Sequence, residues 1–187
     1  KRRQAVGLQG LPAQAAGSPA DRSLSSATLL VAGLRNPGSG YAGTRHNVGG
    51  DAVATAAERI GVTFRKAPRC IAAEVTVTTL DERRGVLALP DVFMNESGRP
   101  VRSLMKYFKP DELLVVHDDI DLPFGKLRVQ EGRGTGGHNG VASIVRSLGG
   151  DAGFWRLKIG VGRPPGRMDP ADFVLRRFSK REQPDMD

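Results

Sequence analysis

The alternation of hydrophobic and polar positions divides the chain into a leading part without periodicity and a longer part in which short apolar runs alternate with amphipathic ones. Short apolar runs between turn residues are typical of buried strands, and apolar residues three and four positions apart are typical of helices. The pattern predicts strands at 28–34, 71–79, 86–90, 112–119, 125–130 and 156–162. It predicts helices at 49–61, 98–108 and 141–149, with further structure at 171–178.

Strands that alternate with helices predict an α/β fold built on a mixed sheet, as a single globular domain. In the first helix, the spacing predicts a buried face made of Val53, Ala56, Ala57 and Ile60. The run "ELLVVHDD" at 112–119 is apolar on both faces and ends in charged residues. That pattern is typical of a central strand in a helix-covered sheet, and such folds place ligands at the carboxyl end of that strand.

The domain boundaries follow from composition. Residues 1–27 are rich in Ala, Gly, Ser, Pro and Gln and have no hydrophobic period, which predicts a disordered leader. A transit peptide and a remnant of cloning are open alternatives, because the chain begins with Lys1. The folded domain is predicted at 28–179, followed by a short tail at 180–187 that could be truncated.

Composition narrows the partners and the compartment. A net charge of +8 favours a polyanionic partner, although an ordinary basic surface is the alternative. Aromatic residues make up only 5%, so phosphate contacts rather than base stacking should carry any binding of nucleic acid. The single cysteine, Cys70, excludes a disulfide framework and favours a reducing compartment. Without an apolar run near the roughly 18 residues of a membrane helix, we expect a cytoplasmic protein.

Candidate catalytic groups are polar residues at element boundaries, where several could converge on one rim of the sheet. Taken singly, each asparagine among them is more typical of a turn or a cap. Together, carboxamides can hold a peptide or stabilise an oxyanion, and a histidine oriented by a carboxylate can activate water. The six residues of this set are Asn36, His46, Asn95, Asp118, His138 and Asn139.

Two other motifs offer competing interpretations. "GRGTGG" at 132–137 matches the dinucleotide-binding spacing, but no apolar strand runs into it. "HDDID" at 117–121 could bind a divalent cation, but no second acidic run completes such a site. No serine or cysteine occupies a nucleophile elbow. The residues therefore favour hydrolysis by activated water, without a metal or a covalent intermediate.

Five motifs in one order resemble the bacterial-type peptidyl-tRNA hydrolases: "GLRNPGSGYAGTRHNVG", "FMNESG", "HDDIDLPFG", "GGHNG" and "RLKIGVGRP". The resemblance covers about 29–179. It implies a twisted mixed sheet flanked by helices and an enzyme that cleaves the ester between a peptide and the 3′ ribose of tRNA. The family recycles tRNA from abandoned translation, so the implied partner is peptidyl-tRNA. It also implies a monomer that needs no metal or organic cofactor.

The resemblance assigns roles by motif. His46 matches the catalytic base and Asp118 the carboxylate that pairs with it. The residues matched to substrate binding are Asn36, Tyr41, Asn95, His138 and Asn139. Lys158 matches one of the basic residues that bind the tRNA phosphate. Gln130 stands at another of these positions, so Arg128 and Arg133 are the expected substitutes there.

Two departures from the family pattern leave an alternative function open. Arg35 precedes "NPG" where the family usually has a small residue, so the entrance beside Asn36 is expected to be altered. With Gln130, this leaves a catalytically weakened tRNA-binding or RNA-binding paralogue as the alternative. We further predict that Asp118 lies against His46 and not against His138. Asn47 is expected to have a structural role at the start of the following helix.

Overall fold

A mixed sheet of seven strands forms the centre of the structure, a computed structural model that describes residues 25–132 and 134–183. The predicted leader falls mostly outside these residues, and Arg133 lies outside them altogether. Across the sheet the order is β2-β3-β4-β1-β5-β7-β6. The strands are β1 (Ser25–Gly33), β2 (Arg65–Lys66), β3 (Ala73–Leu80), β4 (Arg83–Pro90), β5 (Glu112–Asp119), β6 (Leu127–Glu131) and β7 (Trp155–Gly160).

Helices cover both faces of the sheet. They are α1 (Val48–Arg59), α2 (Gly98–Phe108), α3 (Asn139–Ser147) and α4 (Pro170–Val174). Alternate side chains of β1 point to opposite faces: Leu30 packs in the core under α2 and α3, and Val31 packs in the core under α1. The predicted α/β class with a helix-flanked mixed sheet is confirmed. Within the described residues, no helix is long and apolar enough to span a membrane.

The first helix differs from its prediction at its end. It stops at Arg59, and Ile60, predicted to be buried, is 48% exposed. Ala56 is exposed as well. Gly61 adopts a left-handed conformation and reverses the chain, so that Val62 packs against the core instead of Ile60.

The sheet topology brings the predicted functional segments to one rim. β5 pairs in parallel with β1 and β7, and β1 also pairs in parallel with β4. The carboxyl ends of these four strands therefore lie along the same edge. β1 leads towards Asn36, β4 leads into the turn that carries Asn95, and β5 ends at Asp118 and Asp119.

A glycine allows the start of α1 to approach this rim closely. A Cβ added at Gly49 would lie 2.2 Å from the carbonyl oxygen of Val116, so any side chain there would push α1 away from β5. The turn before α1 carries His46. Close packing at Gly49 thus sets the distance between His46 and the end of β5.

Candidate active site

His46 and Asp118 form the centre of the site. His46 lies in the 3₁₀ turn Arg45–Asn47, and its Nδ1 is 2.9 Å from Oδ1 and 3.1 Å from Oδ2 of Asp118. The carboxylate is buried, and burial alone would raise its pKa. The electrostatic interaction with His138 and the hydrogen bonds from both imidazoles outweigh burial and hold the pKa of Asp118 well below its usual range. An ionised Asp118 fixes the proton of His46 on Nδ1 and leaves Nε2 to accept one.

His138 also binds Asp118. The prediction that Asp118 lies against His46 and not against His138 is therefore wrong in its second part. Nε2 of His138 is 2.9 Å from Oδ1 of Asp118. The reason is the position of His138 at the N-cap of α3, where its Nδ1 accepts the backbone N–H groups of Gly140 (3.1 Å) and Val141 (3.3 Å). With Nδ1 an acceptor, the proton lies on Nε2 and is donated to Asp118.

His117 is a third histidine at the site, and apart from its place in the "HDDID" motif no role was predicted for it. It is buried, its Nδ1 donates to the backbone oxygen of Asp118 at 2.6 Å, and its ring packs edge-on against His138. Burial and then the electrostatic interaction with His138 lower its pKa to about 3. His117 is therefore neutral at ordinary pH and supports the ring of His138. The only signal in the sequence is its place directly before Asp118 at the end of a buried strand.

Asn36 is held from both sides by the backbone and by Asn47. Its Oδ1 accepts the N–H of Met94 at 2.8 Å, which leaves the nitrogen end of the carboxamide for a substrate. Asn47 accepts the N–H of Asn36 at 2.8 Å and donates to its backbone oxygen at 3.0 Å. Asn47 thus has the structural contacts that were expected. They hold the Asn36 loop, and its side chain does not cap α1.

A cavity of about 600 Å³ unites most of the predicted residues. Phe93, which the sequence reasoning missed, also lines it, is 52% exposed and meets the Tyr41 ring edge-on at 6.1 Å. Residues of α4 and Leu175 form another wall that was not foreseen. The cavity lining includes eight residues that were named from the sequence: Asn36, Tyr41, His46, Asn95, Asp118, His138, Asn139 and Lys158.

Of the described basic residues assigned to the tRNA phosphate, one lines the cavity and one lies outside it. Lys158 lines the cavity, where its Nζ is 3.0 Å from Oδ2 of Asp119. Burial alone would raise the pKa of Asp119, but hydrogen bonds from Lys158 and the Asp121 backbone lower it. Arg128 is exposed on β6, directly opposite Lys158, and is not part of the cavity lining. The structure therefore brings Lys158 to the site, with Arg128 beside it.

Arg35 does not alter the cavity entrance as expected. Its guanidinium donates to Glu74 at 2.9 Å, and its side chain lies over Gly50, where an added Cβ would come within 2.7 Å of it. Arg35 is absent from the cavity lining. The glycine lets this side chain turn towards β3, away from Asn36.

His46, Asp118 and His138 are the described residues that could hold a metal ion, because their ligand atoms lie within 4.8 Å of one another. Two imidazoles and one carboxylate suit a transition metal. Here the facing nitrogens already donate their protons to Asp118. The arrangement as it stands is organised to orient an imidazole base.

Comparison with known proteins gives a consistent result. The family model described as "Peptidyl-tRNA hydrolase" matches residues 30–187. The peptidyl-tRNA hydrolase of Mycobacterium ulcerans is 49% identical over 160 residues, which cover 84% of this chain and 83% of that protein. That of Mycobacterium tuberculosis is 48% identical over 157 residues, covering 83% and 81%. The crystal structure of peptidyl-tRNA hydrolase from Acinetobacter baumannii superposes with a TM-score of 0.77 at 34% identity, covering 89% of this chain and 84% of that one.

Proposed function

Because the chain belongs to the peptidyl-tRNA hydrolase family and hydrolyses the ester bond of peptidyl-tRNA, we propose that His46 is the base that activates the attacking water. One observation carries this assignment. Nδ1 of His46 faces the buried carboxylate of Asp118 at 2.9 Å, while His46 itself lines the cavity. Nε2 is then the nitrogen available to a water molecule in the cavity.

The proposed reaction proceeds by general base catalysis. Nε2 of His46 takes a proton from water, and the oxygen of that water bonds to the ester carbonyl carbon. Asp118 stabilises the imidazolium that forms, as carboxylates do beside catalytic histidines. The bond between the carbonyl carbon and the 3′ oxygen then breaks, and the imidazolium returns its proton to the ribose oxygen.

Carboxamides around the cavity are proposed to hold the peptide and the developing oxyanion. Asn95 and Asn139 are both exposed at the cavity wall, where their N–H groups have room to meet the carbonyl oxygen. Asn36 presents its nitrogen end, because its oxygen is bound by Met94. Tyr41 with Phe93 supplies an aromatic wall for the peptide. In this arrangement His138 positions Asp118.

Lys158 is proposed to contact a phosphate near the acceptor end of the tRNA, supported by Arg128 across the β6–β7 pair. A high positive charge agrees with a polyanionic substrate. We also propose that the enzyme acts in the cytoplasm as a monomer without a metal, and that its physiological role is to recycle tRNA from abandoned translation. A weakened RNA-binding paralogue is less well supported, because Arg35 turns away from the cavity.

The base assignment is tested by His46→Ala. Release of free tRNA from N-acetyl-aminoacyl-tRNA should fall by about 10²- to 10⁴-fold, the range typical of a lost general base. Circular dichroism should match that of the parent chain, because His46 is not part of a hydrophobic core. The free energy of unfolding should fall by only about 1.5 kcal/mol, for the lost hydrogen bond to Asp118. Near-normal turnover by the variant would remove His46 from this role.

A further inference from the structure

A second groove, of about 750 Å³, lies on the outer surface of α2 and shares no lining residue with the active-site cavity. We call it the α2 groove. Four cations line it and no carboxylate does: Arg69, Arg99, Arg102 and Lys106. The other lining residues are Ile71, Ser103, Tyr107 and Ser147.

The cations of the α2 groove form an ordered row. Arg99, Arg102 and Lys106 occupy positions i, i+3 and i+7, which place them on one side of the helix at intervals of about 5 Å along its axis. Arg69 faces them from the loop before β3. That loop is held against α2 by the Ile71 N–H, which donates to the Ser103 hydroxyl at 3.1 Å. The row is therefore built on a helix and a tethered loop.

All four cations are exposed and have no ion pair or hydrogen bond with another described residue. By contrast, five basic side chains outside the groove each pair with a carboxylate: Arg35, Arg45, Arg83, Lys158 and Arg163. Four like charges without counterions make a local positive potential that a polyanion would neutralise. Phosphates spaced along a nucleic acid strand match a row of this kind.

The α2 groove lies within reach of an RNA that enters the active site. α2 begins three residues after Asn95, and the Arg69 loop adjoins β3, which is four strands from β7 and Lys158. At about 4.8 Å between neighbouring strands, β3 and β7 are offset by about 20 Å across the sheet. A nucleic acid helix carries one phosphate per strand about every 3.4 Å, so about six base steps cover that distance.

We propose that the α2 groove binds the phosphate backbone of the substrate tRNA, at a distance from the ester that is cleaved. This rests on the hydrolase function and adds a second tRNA contact to the one proposed at Lys158. Binding at a remote site of this kind acts on substrate affinity, so it should appear in KM and leave kcat almost unchanged.

The test compares Arg102→Ala/Lys106→Ala with Arg65→Ala/Lys66→Ala, which removes the same charge from the exposed strand β2 outside the groove. Each variant is assayed on full-length N-acetyl-aminoacyl-tRNA and on the same N-acetyl-aminoacyl ester of a CCA trinucleotide. For the groove variant, KM for the full-length substrate should rise about tenfold with kcat within about twofold. The slope of log KM against log salt should fall by about 2, and kinetics on the trinucleotide ester should stay unchanged.

An unchanged KM for full-length tRNA in the groove variant would overturn the proposal. An equal rise in the Arg65/Lys66 control would also overturn it, because it would show a general effect of net charge. The trinucleotide ester keeps this test separate from the hydrolase function. If the parent chain cleaves the trinucleotide ester, the hydrolase function is supported, whatever KM the groove variant has for full-length tRNA.

Discussion

At the scale of single residues, Asp118 receives two imidazole N–H groups, and their orientation can be followed back to a helix. Backbone N–H groups at the start of α3 bind Nδ1 of His138, Nε2 of His138 then donates to Asp118, and Asp118 accepts from His46. The first bond fixes the direction of the second, because an imidazole nitrogen that accepts cannot also donate. The His138 bond in turn lowers the pKa of Asp118, and the ionised carboxylate sets the tautomer of His46.

Substitution of His138 separates its two contacts. Asparagine is a good N-cap but is too short for its nitrogen to reach Asp118, whereas alanine loses both contacts. Either change should lower kcat about tenfold, since a lost hydrogen bond to a charged group is worth about 1.5 kcal/mol. His138→Asn should nevertheless be about 1 kcal/mol more stable than His138→Ala in urea unfolding. Equal stability of the two variants would contradict the cap, and an unchanged kcat would contradict the positioning role.

His117 should make stability depend on pH. Its folded pKa of about 3 lies below the ordinary value of 6.5, so the unfolded chain binds the proton more readily. Its contribution is complete above pH 6.5 and is lost as pH falls towards 3, by at most about 1.4 kcal/mol per pH unit. Between pH 7 and 5, the parent chain should lose about 2 kcal/mol more than His117→Phe in urea unfolding. Parallel losses in the two proteins would show that His117 is not the group responsible. Asp118 titrates below this window, since its pKa is lowered.

Some residue roles at the site can be predicted from the sequence, and others cannot. His46 and Asp118 could be expected on one rim of the sheet, because one precedes a helix and the other ends a buried strand. Their pairing was implied only by the resemblance to the family. The bond between His138 and Asp118 could not be foreseen, because it depends on which imidazole nitrogen caps α3. Asn36 is predicted as a substrate group, and the structure leaves only its nitrogen for that role. Its Oδ1 accepts the N–H of Met94, which is 58 residues away in the sequence and could not be foreseen.

At the scale of elements, Arg45 joins the turn that carries His46 to the C-terminal segment. Its guanidinium makes two hydrogen bonds to Glu182, donates to the backbone oxygens of Arg176 and Arg177, and lies 4.3 Å from the Phe173 ring centre. The same segment includes α4, which forms a wall of the cavity. One buried cation therefore connects the turn that carries His46 to a wall of its binding site.

Removal of Arg45 should loosen this connection. Arg45→Ala should lower the free energy of unfolding by about 3 kcal/mol, the cost typical of breaking a buried ion pair. Glu182→Gln should cost about 1 kcal/mol, because a neutral acceptor remains. Urea unfolding measures both, with the exposed Arg181→Ala as the control that should be nearly neutral. If Arg45→Ala proved as mild as the control, the C-terminal segment would not depend on this residue.

The elements were predicted best where local pattern and packing agree. β5 is a continuous apolar run and α2 has a clear helical spacing of apolar residues, and each forms where expected. β2 has two residues and exists only through its pairing with β3, so the pattern of hydrophobic residues cannot show it. The 3₁₀ turn that carries His46 is likewise set by packing against β5 rather than by its own composition.

At the scale of the whole molecule, the net charge of +8 does not show how many basic side chains are available to bind a phosphate. Lys158 is paired with Asp119, and the two side chains are 15% and 14% exposed. A phosphate must compete with Asp119 for this lysine. The four cations of the α2 groove have no such competitor among the described residues. Pairing therefore decides where the positive charge acts.

Asp119→Asn should release Lys158 for the substrate. The asparagine oxygen can still accept the Asp121 N–H, which Asp119 accepts at 2.8 Å, so the turn after β5 should persist. Removing one negative charge beside a phosphate site should lower KM for N-acetyl-aminoacyl-tRNA several-fold at low salt. The gain should shrink as ionic strength rises, because the screening length falls to about 10 Å at 0.1 M. A rise in KM at low salt would show instead that Asp119 holds Lys158 in the orientation that the phosphate needs.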